Sequence, residues 1–592
     1  MKVFVCCLFI IANISNNGKA SLESFAPTGT NIMFEDSTRT LNNVSCYRPC
    51  KFNVKPKRCY YNFVIEPTIQ DDGKPAISIN GLTPGPPIQA CVNDIIIVEV
   101  LNKIPDQDIA IHWHGIEQKG TPYMDGVPMV TQCPIGYGQM YKYAFVASTP
   151  GTYLYHSDSV SHHSDGVYGS LIINQPQPLE PHSSLYDYDR SEENTLLVGA
   201  KFPDLLTSKL EDVRHLTPEK LVINGDSDIS KMFVMPGFAY RLRLINGIAI
   251  DCPVTMSIED HEMMVIATDG KPTKPVSARN VELYPGERMD VVVRASEESG
   301  GYWVRAKATG VCSGLTTYAM LIYSGFNYTS MLELSQDDLI KSIDESHIVI
   351  GGQMLESNLD QIPEPEVKFV CLGIDKNTVK VKDNDVDFRY ISDAIPKKPF
   401  FPAPLSLDEE GIVQINGKSF LYPNEPLLLK PKEVREDMFC KVGEEKDQRE
   451  TQCIQILDVM NGEVLEIALV NQGFYSNDTY TFHMHGYSME VVATWQNPKD
   501  RPISKEDFLH LNSKGKILSP PLKDTITVPN KGYTIVRLKP DRGGTWLLEC
   551  RSCALSSLPA AIIIRVPQSM PKSVIDSLPK CGSYRPPDVL LN

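Results

Sequence analysis

Three times along this chain the same two-part phrase returns: a short apolar run closing in Asn-Gly, then a longer apolar run closing in Asn. Ile77-Ser78-Ile79-Asn80-Gly81 precedes residues 95–102, Leu221-Val222-Ile223-Asn224-Gly225 precedes 240–246, and Val413-Gln414-Ile415-Asn416-Gly417 precedes 464–471. The first part has strand length and ends at a turn pair; the second reads as a strand buried on both faces. A unit repeated at this spacing predicts three sandwich domains of one type, in an all-β fold. The 44 prolines and 38 glycines, set among short β-branched runs, agree with a chain of many strands and turns.

Residues 1–20 carry Lys2, an apolar run over 3–12 too short to span a bilayer, and a small-residue boundary at Gly18-Lys19-Ala20. This reads as a secretory signal peptide. No later run has spanning length, and 586–592 carries no apolar anchor tail, so a secreted extracellular protein without a membrane anchor is expected. Thirteen of the fifteen cysteines follow the signal, which suits disulfides in an oxidising compartment. In that setting Asn43, Asn327 and Asn477 open glycosylation sequons. A net charge of −16 with no offsetting Lys/Arg block argues against nucleic acid as partner and leaves an extracellular protein or matrix component as the expected one. The expected organisation is an extension over 21–59, tied by Cys46, Cys50 and Cys59, domains over 60–180, 190–330 and 345–570, and a tail over 571–592. The Lys-, Asp- and Pro-rich stretch 374–404 reads as a loop.

Chemistry concentrates in His112-Trp113-His114-Gly115 and in its echo, His483-Met484-His485-Gly486. On a strand, residues two apart share a face, so each pair aims two imidazoles at one point. With only 12 histidines in 592 residues, two such pairs, each followed by Gly, signal a metal site. His162 and His163 are neighbours, which on a strand would point oppositely, and are expected at the surface.

Residues 111–115, Met124-Asp125-Gly126-Val127-Pro128, Gln132-Cys133-Pro134-Ile135, Ser164-Asp165-Gly166-Val167-Tyr168-Gly169, Asp269-Gly270, Pro285-Gly286-Glu287-Arg288-Met289-Asp290 and Pro520-Pro521-Leu522-Lys523-Asp524-Thr525 together resemble the animal laccase-type multicopper oxidases. The resemblance covers roughly residues 60–566. It implies three cupredoxin-like (plastocyanin-like) Greek-key β-sandwich domains, a trinuclear copper cluster between the first and third, and a blue copper in the third. It assigns His112 to the type-2 copper and His114 to a type-3 copper, and makes Cys133 and Cys581 a disulfide between domain one and the tail.

Of the family's four ligand motifs only the first is intact. The second keeps His156 but has Asp158 for its other histidine, and the third keeps His483 and His485 but has Tyr480 at the blue-copper histidine. The fourth falls on Glu549, Cys550, Arg551, Leu555 and Ala560, so that only the cysteine survives. A blue-copper site needs a thiolate and two imidazoles, which Cys550 alone does not supply. Cys550 is left either as a free thiol or bonded to Cys553 in a Cys-x-x-Cys spacing.

No full copper complement is therefore expected. Carried over, one type-3 position would face His114, His156 and Arg551, the other Asp158, His485 and Glu549. Arginine offers donors and no lone pair, so Arg551 is expected to pair with Asp158 or Glu549 and supply guanidinium charge where the family has metal charge. The leading expectation is a secreted binding or structural protein without oxidase chemistry. Its alternatives are a copper oxidoreductase, laccase- or ascorbate-oxidase-like, with an altered site, and a mononuclear protein holding one copper or zinc ion on His112 and His483, with His485 or a carboxylate nearby.

Overall fold

The computed structural model describes residues 35–36 and, between 46 and 581, all but 47, 209–216, 226–228, 330, 332–348, 359–366, 378–411, 417, 441–451, 472, 474–478, 502, 504–518, 554–558 and 580. The expected signal segment, Asn43, Asn477, Leu555 and most of the expected loop lie outside the described residues.

The repeated phrase is a repeated hydrogen-bonding device. Its first Asn sits in the left-handed region each time, with φ of 56° at Asn80, 57° at Asn224 and 58° at Asn416, a conformation Asn tolerates better than most residues. From there the side-chain Oδ1 accepts a backbone N–H from the neighbouring strand: Val64 at 2.8 Å, Leu197 at 2.9 Å and Gly373 at 3.1 Å. The Asn closing the second part accepts the N–H two residues on, from Ile104 at 2.9 Å, Ile248 at 3.2 Å and Gly473 at 2.9 Å, which turns the chain off the sheet.

Around these turns stand three β-sandwiches. In each, the long buried strand pairs in parallel with an earlier one: Ile95–Asn102 with Lys57–Ile69, Ala239–Asn246 with Thr195–Lys201, and Val464–Asn471 with Val367–Asn377. The last strand corrects the loop expected from residue 374, because 374–377 continue the sheet and pair with Ile412–Ile415. In the first sandwich the facing sheet orders Ile88–Cys91, Tyr168–Asn174, Gly151–Ser157 and Ile111–His114. In the third it orders Ile456–Asp458, Ala561–Val566, Gly544–Cys550, Tyr480–Met484 and Thr525–Val528. Each sandwich encloses its own apolar core, led by Phe63 and Trp113 in the first, Leu242 and Val291 in the second, and Phe482 and Trp546 in the third.

Disulfides Cys46–Cys59 and Cys50–Cys91 tie the N-terminal segment down, and Cys133–Cys581 joins the tail to the first sandwich. Cys252–Cys312, Cys440–Cys453 and Cys550–Cys553 lie within the second and third. Asn327 is exposed after strand Thr316–Tyr323, and its Oδ1 accepts the Thr329 N–H at 3.1 Å. Among the described residues no helix is long and apolar enough to cross a membrane.

The first and third sandwiches share an apolar seam in which Val127 and Val130 pack with Leu427, Leu547 and Ile563. The middle sandwich is held to the third by buried charge. Arg288 grips Asp524 with two donors at 2.6 and 2.5 Å, and Lys523 Nζ lies 2.9 Å from both Asp269 and Glu287. Breaking a buried pair by removing one partner leaves an uncompensated charge. Arg288→Ala is therefore expected to destabilise the protein by about 3–5 kcal/mol, read as a lower urea midpoint than that of the unaltered chain; an unchanged midpoint refutes this role for the pair.

Candidate metal centre

The two His-x-His-Gly strands meet where the first sandwich faces the third. On Ile111–His114 and Tyr480–Met484 the strand period turns His112, His114 and His483 inward, and His485 follows at the strand end. The neighbouring strand Gly151–Ser157 adds His156, paired directly opposite His112. All five imidazoles are buried. His112, His114 and His156 have nitrogens within 4.8 Å of one another, as do His112, His483 and His485, and His114 and His483 with Asp524. The glycine after the first pair is needed: Gly115 lies at φ 90°, and a Cβ there would run into Arg288 and Asp524. Gly126, at φ 87°, lets the loop bearing Asp125 press against the Ile111 carbonyl.

Hydrogen-bond partners fix what each imidazole can do. His112 Nδ1–H donates to the Asp125 carbonyl at 2.8 Å, and His483 Nδ1–H to the Asp524 carbonyl at 3.1 Å. Their Nε2 atoms, left as lone pairs, face each other at 3.1 Å. Burial, and then the neighbouring His485, hold the pKa of His112 well below 6.5. His483 is lowered by burial first, against Asp524, which raises it.

His114 and His156 differ. His156 Nδ1–H donates to the Ser157 carbonyl at 2.8 Å and its Nε2 lies 3.2 Å from His114 Nδ1, while His114 Nε2 lies 2.8 Å from the Thr525 hydroxyl, which donates to Asp524 Oδ1 at 2.9 Å. His485 lies between two carboxylates, Asp125 Oδ2 at 2.9 Å and Glu549 Oε1 at 3.4 Å. Burial alone would lower its pKa, but Asp125 and Glu549 together hold it up at about 10. With both nitrogens facing carboxylates, the charged form of His485 is favoured.

The positions where the resemblance expects further ligands are equally defined. Arg551 donates to Glu549 Oε1 at 3.0 Å, one of its two expected partners. Burial would raise the Glu549 carboxyl; Arg551 and then His485 bring it down to about 2. Asp158 keeps one oxygen without a partner, and burial, with the Glu549 charge next, pushes its pKa up to about 7. Cys550 is bonded to Cys553 and lies in the third core with buried Tyr480 and Ala560, so no thiolate is presented. The surface placement expected of His162 and His163 is overturned. They lie on a helical turn, Val160–Ser164, that carries both inward, and His163 stacks on His156 with ring centres 4.5 Å apart and planes 10° apart.

The His485 protonation gives a pH prediction. Its folded pKa of about 10 exceeds the ordinary 6.5, so its stabilisation is complete below pH 6.5 and is lost as pH rises through 10. Thermal midpoints of the unaltered chain and His485→Gln are expected to differ most near pH 6 and to converge toward pH 10. A gap independent of pH would contradict the imidazolium.

Three family profiles, each described as "Multicopper oxidase", match residues 65–178, 185–325 and 420–553. The chain is 27% identical over 519 residues to L-ascorbate oxidase of Cucurbita pepo var. melopepo, covering 80% of this chain and 88% of that one. It is 29% identical over 565 residues to laccase-1 of Thanatephorus cucumeris, covering 86% and 91%. Among solved structures its fold matches Fet3p, described as a multicopper oxidase that functions in iron import, at a TM-score of 0.66 and 20% identity over 86% of this chain and 90% of that one. It matches the laccase of Botrytis aclada at 0.65 and 23% identity over 86% and 88%. With three matching profiles, relatives aligned over most of their length and the histidine cluster set between the first and third sandwiches, this chain belongs to the laccase-type multicopper oxidase family.

Proposed function

We propose that this protein has set aside the oxidase chemistry of its family and works outside the cell by binding or structural contact. Membership implies copper, and the residues present do not fit the full set. The observation that carries this reading is the Cys550–Cys553 disulfide: a sulfur bonded to sulfur has no thiolate to offer a blue copper, and Tyr480 and Ala560 bring no imidazole or thioether beside it. Without that centre, single electrons from a reducing substrate have no point of entry. Arg551, paired with Glu549, gives the type-3 region a guanidinium in place of a ligand. The partner would be an extracellular protein or matrix component, a class that the net charge of −16 favours over nucleic acid.

A second reading, one copper or zinc ion held by His112 and His483, has a specific support. Two buried Nε2 lone pairs facing each other at 3.1 Å favour a cation shared between them. Both rings are oriented by backbone carbonyls on Nδ1, as ligating imidazoles commonly are. His485 has a nitrogen within 4.8 Å of theirs, and its own nitrogens also face Asp125 and Glu549.

Protein secreted from cells in copper-supplemented medium is expected to contain at most one copper per chain, to be colourless, and to consume no oxygen with a diphenol. His112→Ala with His483→Ala should abolish any stoichiometric metal. Three or four coppers with oxygen uptake would overturn the proposal.

A further inference from the structure

The groups around Arg551 form one continuous line of contacts across all three sandwiches. From the first, Asp125 Oδ2 meets His485 of the third at 2.9 Å. His485 meets Glu549 at 3.4 Å, and Glu549 accepts from Arg551 at 3.0 Å. The other arm of the Arg551 guanidinium donates to His163 Nδ1 of the first sandwich at 3.2 Å. His163 Nε2–H then donates to the Gly247 carbonyl of the second at 2.8 Å. Arg551 is 4% exposed, and its own N–H is fixed to the Thr481 carbonyl at 2.7 Å, so the side chain is positioned from both ends.

We propose that Arg551 is the resident cation of a metal-independent joint, linking the end of strand Gly544–Cys550 through His163 to both other sandwiches. Its planar fork suits the task. One nitrogen reaches a carboxylate in its own sandwich while another reaches an imidazole across the boundary, which a lysine ammonium does only as a point charge. The His163 ring serves both sides, because accepting at Nδ1 fixes the proton on the Nε2 that donates to Gly247. The joint runs through neither His114 nor His156, which meet each other and the Thr525 hydroxyl. This goes beyond the functional proposal and fails separately from it: oxygen uptake would overturn that proposal, whereas the joint is read in unfolding.

The test is a double-mutant cycle on full-length secreted protein, with thermal unfolding followed after dialysis against a strong chelator and again with added copper. R551M and H163F keep side-chain bulk while removing donor and acceptor. Each is expected to lower the midpoint of the chelated protein by about 5–10 °C, and the double variant should be scarcely worse than R551M alone. Chelation itself should move the unaltered protein by less than about 1 °C. Additive losses, an unchanged midpoint in R551M, or a fall of the unaltered chain to the R551M midpoint on chelation would each overturn the joint. Should R551M not be secreted, H163F alone decides: an unchanged midpoint overturns the joint, and a lowered one that copper does not restore supports it.

Discussion

The bidentate pair between Arg288 and Asp524, shut away from water, carries the architecture of the centre. Arg288 belongs to the middle sandwich, Asp524 to the third, and the histidines rest against the carboxylate side. The Asp524 carbonyl accepts His483 Nδ1–H, and the adjacent Thr525 hydroxyl holds His114. Burial alone would raise the Asp524 carboxyl; Arg288 more than offsets it and holds the pKa well below 3.8. A permanent anion at the base of the cluster thus depends on a cation from another domain, so domain packing and imidazole orientation are one problem. Gly115 belongs to the same constraint, since a side chain there would occupy the space that Arg288 needs.

Equal burial of five histidines does not give five equal groups. Two sit with Nδ1 on backbone carbonyls and keep a lone pair. Two meet each other, and one of them also meets a threonine hydroxyl. One, between two carboxylates, carries a charge. The partner of the first nitrogen decides whether the second is a ligand, an acceptor or a donor. The five inward histidines thus differ in what surrounds them, and the His112–His483 pair is the one whose Nε2 atoms face each other.

Local chemistry was legible in the sequence, and long-range chemistry was not. The Asn-Gly phrases announce three sandwiches because turn and strand partner lie within a short reach of each Asn. The two His-x-His pairs announce convergence because the strand period is local. The inward placement of His162 and His163 is not legible, because neighbours on a strand point oppositely, whereas a helical turn of five residues carries both inward. The roles of Asp125 and Asp524 rest on contacts to residues 360 and 236 positions away, His485 and Arg288, and nothing in the local pattern marks such contacts. The motifs around Asp125, Arg288 and Asp524 stood out only through the family resemblance, which flags that they matter without showing what they touch.

The departures at 549 and 551 make physical sense together. Residues two apart at a strand end share a face, so an acidic group at 549 and a basic one at 551 are brought to the same side, and they meet at 3.0 Å. Glu549 alone would place a second buried carboxylate beside His485, which Asp125 already neutralises. Arg551 alone would put an unpaired guanidinium against His163, whose ring accepts one hydrogen bond and offers no charge. Each replacement would be strongly destabilising without the other, whereas the pair leaves the strand end neutral. The two positions thus act as a matched ion pair, and a variant placing imidazole at one of them should be less stable than a variant placing imidazole at both.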